Sequence, residues 1–443
     1  YPTLSEGDRR RVVVGYDTRF DSPEFARAAA DVLADYGLEV LLADRPIPTP
    51  AVSFHVRRLG LAGGVSITAS HNPSPYNGFK IKAHFGGSAP PALYEDVARA
   101  LRSPTSRPSR AGRVETADLT KPYADRLAAL VDVAAIRSAR LALVADAMHG
   151  AAGSLVAEIA GGGRCRIVPF RTERDVLFGG VNPEPIGANL SATSERLRAE
   201  RADLAVATDG DADRLGVLDR EGRFVSPHRV LALLLLHAFR RRRLRGGIAK
   251  TFSTSLLIDR IAAALGSPLH ETGIGFKYVA ELMNRGEAAA GGEESGGYAF
   301  AFHLPERDGV LNALLLIESL AVRGQDLDAA LAELAAEFGE FAYDRRDFYL
   351  PVGVIHEFLA EVESAPPPSL AGETVTAIAN KDGIKYRFGA SGWLLHRLSG
   401  TEPMIRLYCE HADPRAVPRI LDAASERLAS FANARGVEPR SHL

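Results

Sequence analysis

Short apolar runs alternate with amphipathic stretches through the larger part of the chain. A β-branched run at residues 11–15 is followed by helical apolar spacing over 23–36 and by a second apolar run at 38–43. The same order returns over residues 140–170 and again from Gly247. Strands and helices that alternate at this spacing are typical of parallel, doubly wound α/β layers. The pattern therefore predicts three similar doubly wound α/β domains in succession.

The last part of the chain has a different pattern. After about Asp344, strand-like runs dominate, interrupted by one helical stretch and the segment SAPPPSL, and residues 414–432 have the spacing of a closing helix. This pattern predicts a smaller C-terminal α+β domain. We therefore expect four domains around a central cleft, covering residues 1–136, 137–240, 241–344 and 345–443.

Composition and charge exclude several classes of protein. The 443 residues are 46% hydrophobic and carry a formal net charge of −2, so nothing attracts the chain to nucleic acid or to an anionic membrane. The longest apolar run, at residues 230–238, is too short to cross a bilayer. The basic run at 239–245 is interpreted as a solvated helix end. We expect a cytoplasmic enzyme with a small-molecule partner, as a monomer or a dimer.

Two cysteines, Cys165 and Cys409, are too few for a disulfide framework or for a zinc site built from cysteine. Candidate chemistry therefore has to come from other residue types. Four short motifs contain it, and they follow one another along the chain.

The strongest of these motifs is D-G-D-A-D-R, with Asp209, Asp211 and Asp213 at alternate positions after a strand-like run. Alternate carboxylates project to one side of the backbone and offer three oxygen ligands to one divalent cation. A calcium-binding EF-hand is excluded, because Arg214 and Arg220 occupy the places of its glycine and its last glutamate. The motif predicts a magnesium site whose open positions a phosphate fills. A solvated acidic turn is the alternative.

T-A-S-H-N-P places Ser70 in a turn directly after an apolar strand. A nucleophile on a loop needs an exposed hydroxyl and neighbours that manage its proton and charge, and His71 and Lys80 offer this. A hydrolase triad is not indicated, since no G-x-S-x-G surrounds the serine and adjacent residues do not form the Ser–His hydrogen bond easily. On its own the motif is compatible with an ordinary surface turn.

G-G-E-E-S-G-G contains Glu293, Glu294 and Ser295, whose oxygens suit sugar hydroxyls, between glycines that permit close approach of a ligand. A plain hairpin loop is the alternative interpretation of this segment. Because repeated carboxylates repel phosphate, the motif is not a phosphate loop.

R-L-S-G-T-E-P-M-I-R combines guanidinium groups, hydroxyls and backbone amides around a glycine, as a phosphate dianion requires. The residues concerned are Arg397, Ser399, Gly400, Thr401 and Arg406. This motif predicts an anion site rather than a structural turn.

Taken in order, the four motifs resemble the four active-site loops of the α-D-phosphohexomutase family, one in each domain. The segments GYDTR, VADAMHG, NPEPIGANL, GIGFKYV and ERDGVLNALLLIE are also similar to this family, so the resemblance covers nearly the whole chain. The resemblance implies that Ser70 is a phosphoserine that shares a magnesium ion with Asp209, Asp211 and Asp213.

The resemblance also implies roles for the remaining candidates. His71 and Lys80 would handle the hydroxyl proton or steady the phosphoryl group, and Arg19 and Arg214 would support the catalytic loops. Substrate-binding residues implied by the resemblance are Gly275, Lys277, Glu294, Ser295, Arg397, Ser399, Gly400, Thr401 and Arg406.

The expected reaction converts a hexose 1-phosphate into a hexose 6-phosphate through a 1,6-bisphosphate, with glucose 1,6-bisphosphate as activator and glucose or mannose as the sugar. A phosphoglucosamine mutase is the first alternative, although that branch of the family usually has GEQSGH where this chain has GEESGG. A magnesium-dependent sugar phosphatase and a non-catalytic sugar-phosphate-binding protein are the others. One departure is that the family's Gly-rich loop with an arginine has no counterpart in residues 1–11. We expect either that residues preceding this sequence supply the loop or that activity is impaired.

Overall fold

The computed structural model describes residues 10–102, 111–400 and 402–441. Their contacts cluster into two units: one combines the chain up to Ala249 with residues 275–333, and the other combines residues 250–274 with 334–443. The division falls inside the third of the predicted domains. No helix in the described ranges combines the length and the apolar character needed to cross a membrane.

The first sheet has the strand order β4-β3-β1-β2-β5. Its strands are β1 (Arg11–Tyr16), β2 (Glu39–Ala43), β3 (Gly63–Ile67), β4 (Phe79–Ala83) and β5 (Arg113–Ala117). The accompanying helices are α1 (Ser22–Asp35), α2 (Thr49–Leu59) and α3 (Pro91–Arg102). All neighbouring strands are parallel except β3 and β4, which are antiparallel.

The second sheet has the order β10-β9-β8-β6-β7. Its strands are β6 (Ala142–Asp146), β7 (Arg166–Phe170), β8 (Leu204–Thr208), β9 (Leu215–Leu218) and β10 (Phe224–Val225). Helices α4 (Thr120–Leu130), α5 (Val133–Ser138), α6 (Leu155–Ala160), α7 (Ser191–Glu200) and α8 (Pro227–Leu236) belong to this stretch of the chain. β6 is parallel to β7 and β8, whereas β9 is antiparallel to β8. Every residue of β8 is buried, as is usual for an inner strand covered on both faces.

The prediction of parallel layers is correct for β1, β2, β3, β5, β6, β7 and β8 and wrong for β4, β9 and β10. It is also wrong for the strand Tyr298–Phe300 of the third α/β stretch, which pairs antiparallel with Ala288–Gly292. The reason is the length of the connections. A parallel return needs a crossover of a dozen or more residues, usually with a helix, but only residues 209–214 join β8 to β9. The chain therefore turns back directly and forms an antiparallel neighbour.

The third α/β stretch contains β11 (Gly247–Thr251), α9 (Leu256–Leu265), β12 (Leu269–Thr272), α10 (Phe276–Asn284), β13 (Ala288–Gly292), β14 (Tyr298–Phe300), α11 (Gly309–Arg323) and α12 (Leu327–Phe338). α11 begins where the Asp308 carboxylate accepts a hydrogen bond from Leu311 N, and it ends at Gly324 with φ of 63°. Buried side chains extend along α11 from Gly309 to Leu320, which makes it an inner helix of the first unit.

The C-terminal sheet is antiparallel, in the order β18-β19-β20-β21-β15-β22. The elements are β15 (Ala342–Tyr349), α13 (Val352–Ser364), β16 (Ser369–Leu370), β17 (Glu373–Thr374), β18 (Ala377–Ala379), β19 (Ile384–Arg387), β20 (Gly392–Leu398), β21 (Met404–His411), α14 (Ala416–Asn433) and β22 (Arg440–Ser441). Phe358 from α13 and Ile420 from α14 share one buried core with Leu394 of the sheet. The predicted α+β domain and its closing helix are confirmed.

The four motifs occupy equivalent places in the fold. Each joins two adjacent antiparallel strands: β3 to β4, β8 to β9, β13 to β14, and β20 to β21. Hairpin connections of this kind expose backbone and side chains at the end of a rigid strand, which suits residues that have to meet a ligand.

Candidate active site

The three aspartates of the β8–β9 connection are fully buried. One carboxylate oxygen from each aspartate lies within 4.8 Å of those from the other two. Asp209 fixes the loop, because its Oδ1 accepts hydrogen bonds from the backbone N–H groups of Asp213 (2.8 Å) and Arg214 (2.9 Å). Burial, followed by the neighbouring charges of Asp213 and Asp211, raises the pKa of Asp209 well above its usual range. Three acidic side chains are therefore held close together in this hairpin.

Ser70 lies in direct contact with this cluster. Its Oγ donates a hydrogen bond of 2.9 Å to Asp209 Oδ2, and its backbone N–H donates to Thr68 Oγ1 at 2.8 Å. The serine is buried and has a φ of 53°, a left-handed conformation that is uncommon for residues other than glycine. The two loops that the sequence singled out separately thus meet through their predicted residues.

Lys80, the second residue of β4, supplies positive charge to the same cluster. Its Nζ is 2.7 Å from Asp211 Oδ2 and 3.5 Å from Asp213 Oδ2. Burial opposes charge on this lysine, but Asp211 and Asp213 outweigh burial and raise the pKa of Lys80 above its usual value. Burial raises the pKa of Asp211, but the charge and hydrogen bond of Lys80, together with hydrogen bonds from Thr49 and Asp209, outweigh it and lower the pKa of that carboxyl. Lys80 is therefore held as a cation.

His71 is half-buried beside Ser70, and its Nε2 lies 4.0 Å from Glu184 Oε1. Burial, and then the charges of Arg214 and Lys80, lower the pKa of His71 to about 2, so its imidazole is neutral near pH 7. Arg214 approaches the same glutamate, with NH1 at 3.1 Å from Glu184 Oε1. Two residues with separately predicted roles, His71 and Arg214, thus meet at one glutamate from the segment NPEPIGANL.

Arg19 is completely buried against the connection between β3 and β4, residues 68–78, here called the serine loop. Its guanidinium donates to four backbone carbonyl oxygens of that loop, those of Ser70 (2.7 Å), Asn72 (2.6 Å), Pro73 (2.8 Å) and Tyr76 (2.9 Å). Its Nε pairs with Asp17 at 3.1 Å. These contacts give Arg19 a geometry suited to holding the loop rather than to touching a substrate.

Two residues that the sequence reasoning did not single out also contact the aspartates. Thr49, at the start of α2, donates from Oγ1 to Asp211 Oδ2 at 2.7 Å. Arg307 contacts Asp213 Oδ2 through NH2 at 2.5 Å and Glu293 Oε2 through NH1 at 3.1 Å. Arg307 lies in the segment ERDGVLNALLLIE, whose resemblance to the family assigns no role to the arginine. No local pattern marks Thr49.

The carboxylates fit a hard cation. Within the described residues, Asp211 Oδ1 and Asp213 Oδ1 are buried and accept no hydrogen bond. Buried polar atoms without a partner are rare in native proteins and costly. Three oxygen donors on one loop, two of them unsatisfied, are the donor set that Mg²⁺ prefers, and a phosphate oxygen at Ser70 would complete it.

The predicted sugar-contacting residues lie on separate loops of the first unit. Glu294 and Ser295 are half-buried in the β13–β14 connection, while their neighbour Glu293 is buried against Arg307. Gly275 has a φ of 130° and precedes α10. Lys277 is exposed, with its Nζ 5.0 Å from the centre of the Tyr278 ring.

The predicted phosphate-binding residues belong to the second unit. Arg397 and Arg406 lie directly opposite each other on β20 and β21. Arg397 Nε is 2.8 Å from Asp382 Oδ1, and Arg406 Nε is 3.8 Å from Asp347 Oδ2. Like charges opposite each other destabilise a strand pair, so an anion shared by the two guanidiniums would be favourable.

The turn between these two strands carries the other three predicted residues. Ser399 is buried and donates from its backbone N–H to Met404 O at 2.8 Å, and Gly400 is exposed in the turn. Thr401 lies outside the described residues.

The fold and this arrangement of loops are those of a phosphohexomutase. The sequence matches four family profiles in order: phosphoglucomutase/phosphomannomutase alpha/beta/alpha domain I over residues 3–107, domain II over 121–222, domain III over 226–338 and the C-terminal domain over 360–427. The chain belongs to the phosphoglucomutase/phosphomannomutase, or α-D-phosphohexomutase, family, as the motifs predicted. It is therefore an enzyme of the phosphohexomutase superfamily, a class of isomerases.

Individual relatives differ in their names. The chain is 33% identical to the probable phosphoglucosamine mutase of Methanothermobacter thermautotrophicus and 32% identical to the phosphoglucomutase/phosphomannomutase of Thermococcus kodakarensis, in both cases over 91% of this chain and 86% of the relative. A crystal structure from Thermus thermophilus, of a candidate phosphomannomutase, superposes with a TM-score of 0.83 at 38% identity and covers 95% of this chain and 92% of the other.

Proposed function

We propose that this enzyme interconverts hexose 1-phosphates and hexose 6-phosphates through a phosphorylated Ser70 and a 1,6-bisphosphate, with glucose as the preferred sugar and mannose as a second substrate. The observation that supports this proposal is the contact of Ser70 Oγ with Asp209 Oδ2 at 2.9 Å, inside a cluster of three buried carboxylates. A serine hydroxyl beside a cation site is what a phosphoryl carrier requires.

In this proposal Asp209, Asp211 and Asp213 would hold Mg²⁺ beside phospho-Ser70, and the ion would supply positive charge to the transferred group. Lys80 remains protonated beside Asp211 and offers a second positive charge to that group. His71, next to the serine, is assigned to steadying the phosphoryl group, because a pKa of about 2 makes its imidazole too weak a base for the hydroxyl proton. Arg19 and Arg214 keep the serine loop and the metal loop in place through their contacts with backbone and with Glu184.

The bisphosphate then has to present its other phosphate to Ser70, so one distal site must accept either end of the sugar. We assign this site to Arg397, Ser399, Gly400, Thr401 and Arg406, on the strength of the opposed arginines of β20 and β21. Glu294 and Ser295 are assigned to the sugar hydroxyls, and Gly275 with Lys277 to a loop facing the substrate. We retain four domains as the functional division, with the boundaries given above.

The test is a coupled assay for glucose 6-phosphate formed from glucose 1-phosphate, Mg²⁺ and a trace of glucose 1,6-bisphosphate. Product that disappears in Ser70→Ala and in chelator supports the proposal. Released inorganic phosphate without isomerised sugar would identify a phosphatase instead. Binding of the sugar phosphate without turnover, in a chain that includes any residues preceding this sequence, would identify a non-catalytic binding protein.

A phosphoglucosamine mutase is the second candidate, because the Methanothermobacter relative has that name. The motif GEESGG favours glucose or mannose in this chain. Assays with glucosamine 1-phosphate and mannose 1-phosphate under identical conditions rank the three sugars by kcat/KM. A kcat/KM for glucosamine 1-phosphate above the other two would reject our choice of sugar while leaving the reaction type unchanged.

A further inference from the structure

Four consecutive residues at the start of α11, three before the helix and Gly309 as its first residue, each contact a different part of the first unit. Glu306 pairs with the buried Lys82 at 2.6 Å, and Asp308 accepts the Tyr123 hydroxyl at 2.8 Å. The backbone N–H of Gly309 donates a hydrogen bond of 2.9 Å to the carbonyl oxygen of Ala212, which lies in the connection between β8 and β9, residues 209–214. Arg307, between them, is the member of this segment that reaches the candidate active site.

Arg307 connects two of the predicted functional loops. One NH group contacts the metal loop at Asp213 Oδ2 (2.5 Å), and the other contacts the sugar loop at Glu293 Oε2 (3.1 Å). The side chain is only 15% exposed, and both carboxylates are buried. The Arg307 side chain packs against the backbone of Gly297, where a Cβ atom would lie only 2.1 Å from Arg307 Cδ. Only a glycine at position 297 leaves room for the arginine in this conformation.

We propose that Arg307 is a positioning residue that couples the sugar loop, residues 293–297, to the metal loop, residues 209–214. Arg307 contacts Oδ2 of Asp213. The other oxygen of that carboxylate, Oδ1, accepts no hydrogen bond from the described residues. Through Glu293 the same guanidinium fixes the loop that carries Glu294 and Ser295. The roles of the two loops rest on the proposed function, whereas the contact between them does not.

Charge gives Arg307 a second effect. Three carboxylates of the metal loop are accompanied by two cations, Lys80 and Arg307. Removal of one cation leaves a more negative cluster, which attracts a divalent ion more strongly as long as Ser70 carries no phosphate. Arg307→Met should therefore tighten Mg²⁺ binding to the unphosphorylated protein by about tenfold while it loosens the sugar loop.

Three variants separate the two effects. Arg307→Lys keeps the charge but, with one ammonium group, does not bridge both carboxylates as a planar guanidinium does. Glu293→Gln weakens the contact to the sugar loop and leaves Asp213 paired. The matched control is Arg285→Met, which removes an arginine that is 51% exposed and paired with Glu281 on α10.

The experiment combines calorimetric Mg²⁺ titration of unphosphorylated protein, amide hydrogen exchange at residues 293–297, and KM with kcat for glucose 1-phosphate. Arg307→Met is expected to bind Mg²⁺ more tightly, to exchange faster at the sugar loop, and to raise KM by more than it lowers kcat. Arg307→Lys and Glu293→Gln should exchange faster at the loop with Mg²⁺ affinity close to wild type.

The coupling would be refuted if all three variants matched Arg285→Met in hydrogen exchange and in Mg²⁺ affinity. If Arg307→Met fails to fold, Arg307→Lys and Glu293→Gln decide the question by hydrogen exchange at residues 293–297, where exchange no faster than in Arg285→Met would refute the coupling. Wild-type protein that shows the coupling but no mutase activity would reject the proposed function and leave this inference standing, so the two failures are distinguishable.

Discussion

Gly210 of the metal loop packs directly against the backbone of Ser70. A Cβ at position 210 would lie 2.6 Å from the Ser70 carbonyl oxygen, closer than real Cβ atoms approach. That carbonyl also accepts a hydrogen bond from Arg19 at 2.7 Å, so it is not free to move away. The glycine between the first two aspartates therefore allows the serine and the metal ligands to share one site.

The first prediction is that Gly210→Ala separates the two loops. A shift of about 1 Å in a reacting group costs on the order of 100-fold in rate, so mutase activity should fall by about this factor. Gly353→Ala, in α13, is the matched control because a Cβ there meets nothing within 4 Å. Coupled assays of both variants give the comparison, and an active Gly210→Ala protein would show that the close approach is unimportant.

The second prediction concerns Arg19. Arg19→Met removes four hydrogen bonds to the serine loop and leaves Asp17 buried without its cation, so the free energy of unfolding should fall by about 3–5 kcal/mol. Urea titration followed by far-ultraviolet circular dichroism measures this change. Arg27→Met, which breaks an exposed pair with Asp31, should change stability by less than about 1 kcal/mol. Equal losses in the two variants would argue against a buried structural role for Arg19.

The carboxylate cluster and the position of Ser70 could be predicted because each depends on residues that are adjacent in the sequence. The three carboxylates of D-G-D-A-D-R lie within one short connection, residues 209–214, so they stay close together wherever that connection lies in the fold. The turn chemistry of T-A-S-H-N-P likewise places Ser70 at the end of a strand. Residue spacing is sufficient for inferences of this kind.

Contacts between distant parts of the chain could not be predicted in this way. Thr49 and Asp211 are separated by 162 positions, and Arg307 and Asp213 by 94. The sequence also treats Glu293 and Glu294 alike, whereas the structure buries the first against Arg307 and leaves the second half-buried. The antiparallel pairing of β4, β9 and β10 could not be predicted for a related reason. The apolar pattern of a strand is the same whether it runs parallel or antiparallel to its neighbour.

The third prediction uses the only tryptophan of the chain, Trp393, as a probe of the second unit. His396 is buried there between Phe358 and Tyr386, and burial lowers its pKa to about 4. Between pH 6.5 and 4 the unfolded chain therefore binds a proton that the folded chain does not. The stability that neutral His396 contributes is present above pH 6.5 and is lost as the pH falls towards 4, by about 3 kcal/mol in total.

Urea unfolding followed by Trp393 fluorescence at pH 7, 5.5 and 4 measures this loss. His396→Gln removes the titrating group, and its stability should depend less on pH than that of wild type. Carboxylates elsewhere contribute equally to both proteins, so the difference between the two slopes reports His396. Parallel slopes would show that His396 does not titrate in this range.

The fourth prediction concerns Lys80. Without its ammonium the pKa of Asp211 rises, because burial is then opposed mainly by Thr49 and by the other hydrogen bonds of that carboxyl. Loss of a preorganised positive charge at the transferred group typically costs about 100- to 1,000-fold in kcat, and we expect that range for Lys80→Met. Lys121→Met, which removes a surface lysine paired with Asp125, should retain wild-type activity.

Single-turnover transfer from phospho-Ser70 to glucose 6-phosphate isolates the chemical step. A wild-type rate in Lys80→Met would remove Lys80 from the mechanism and leave the bound cation and His71 to support transfer.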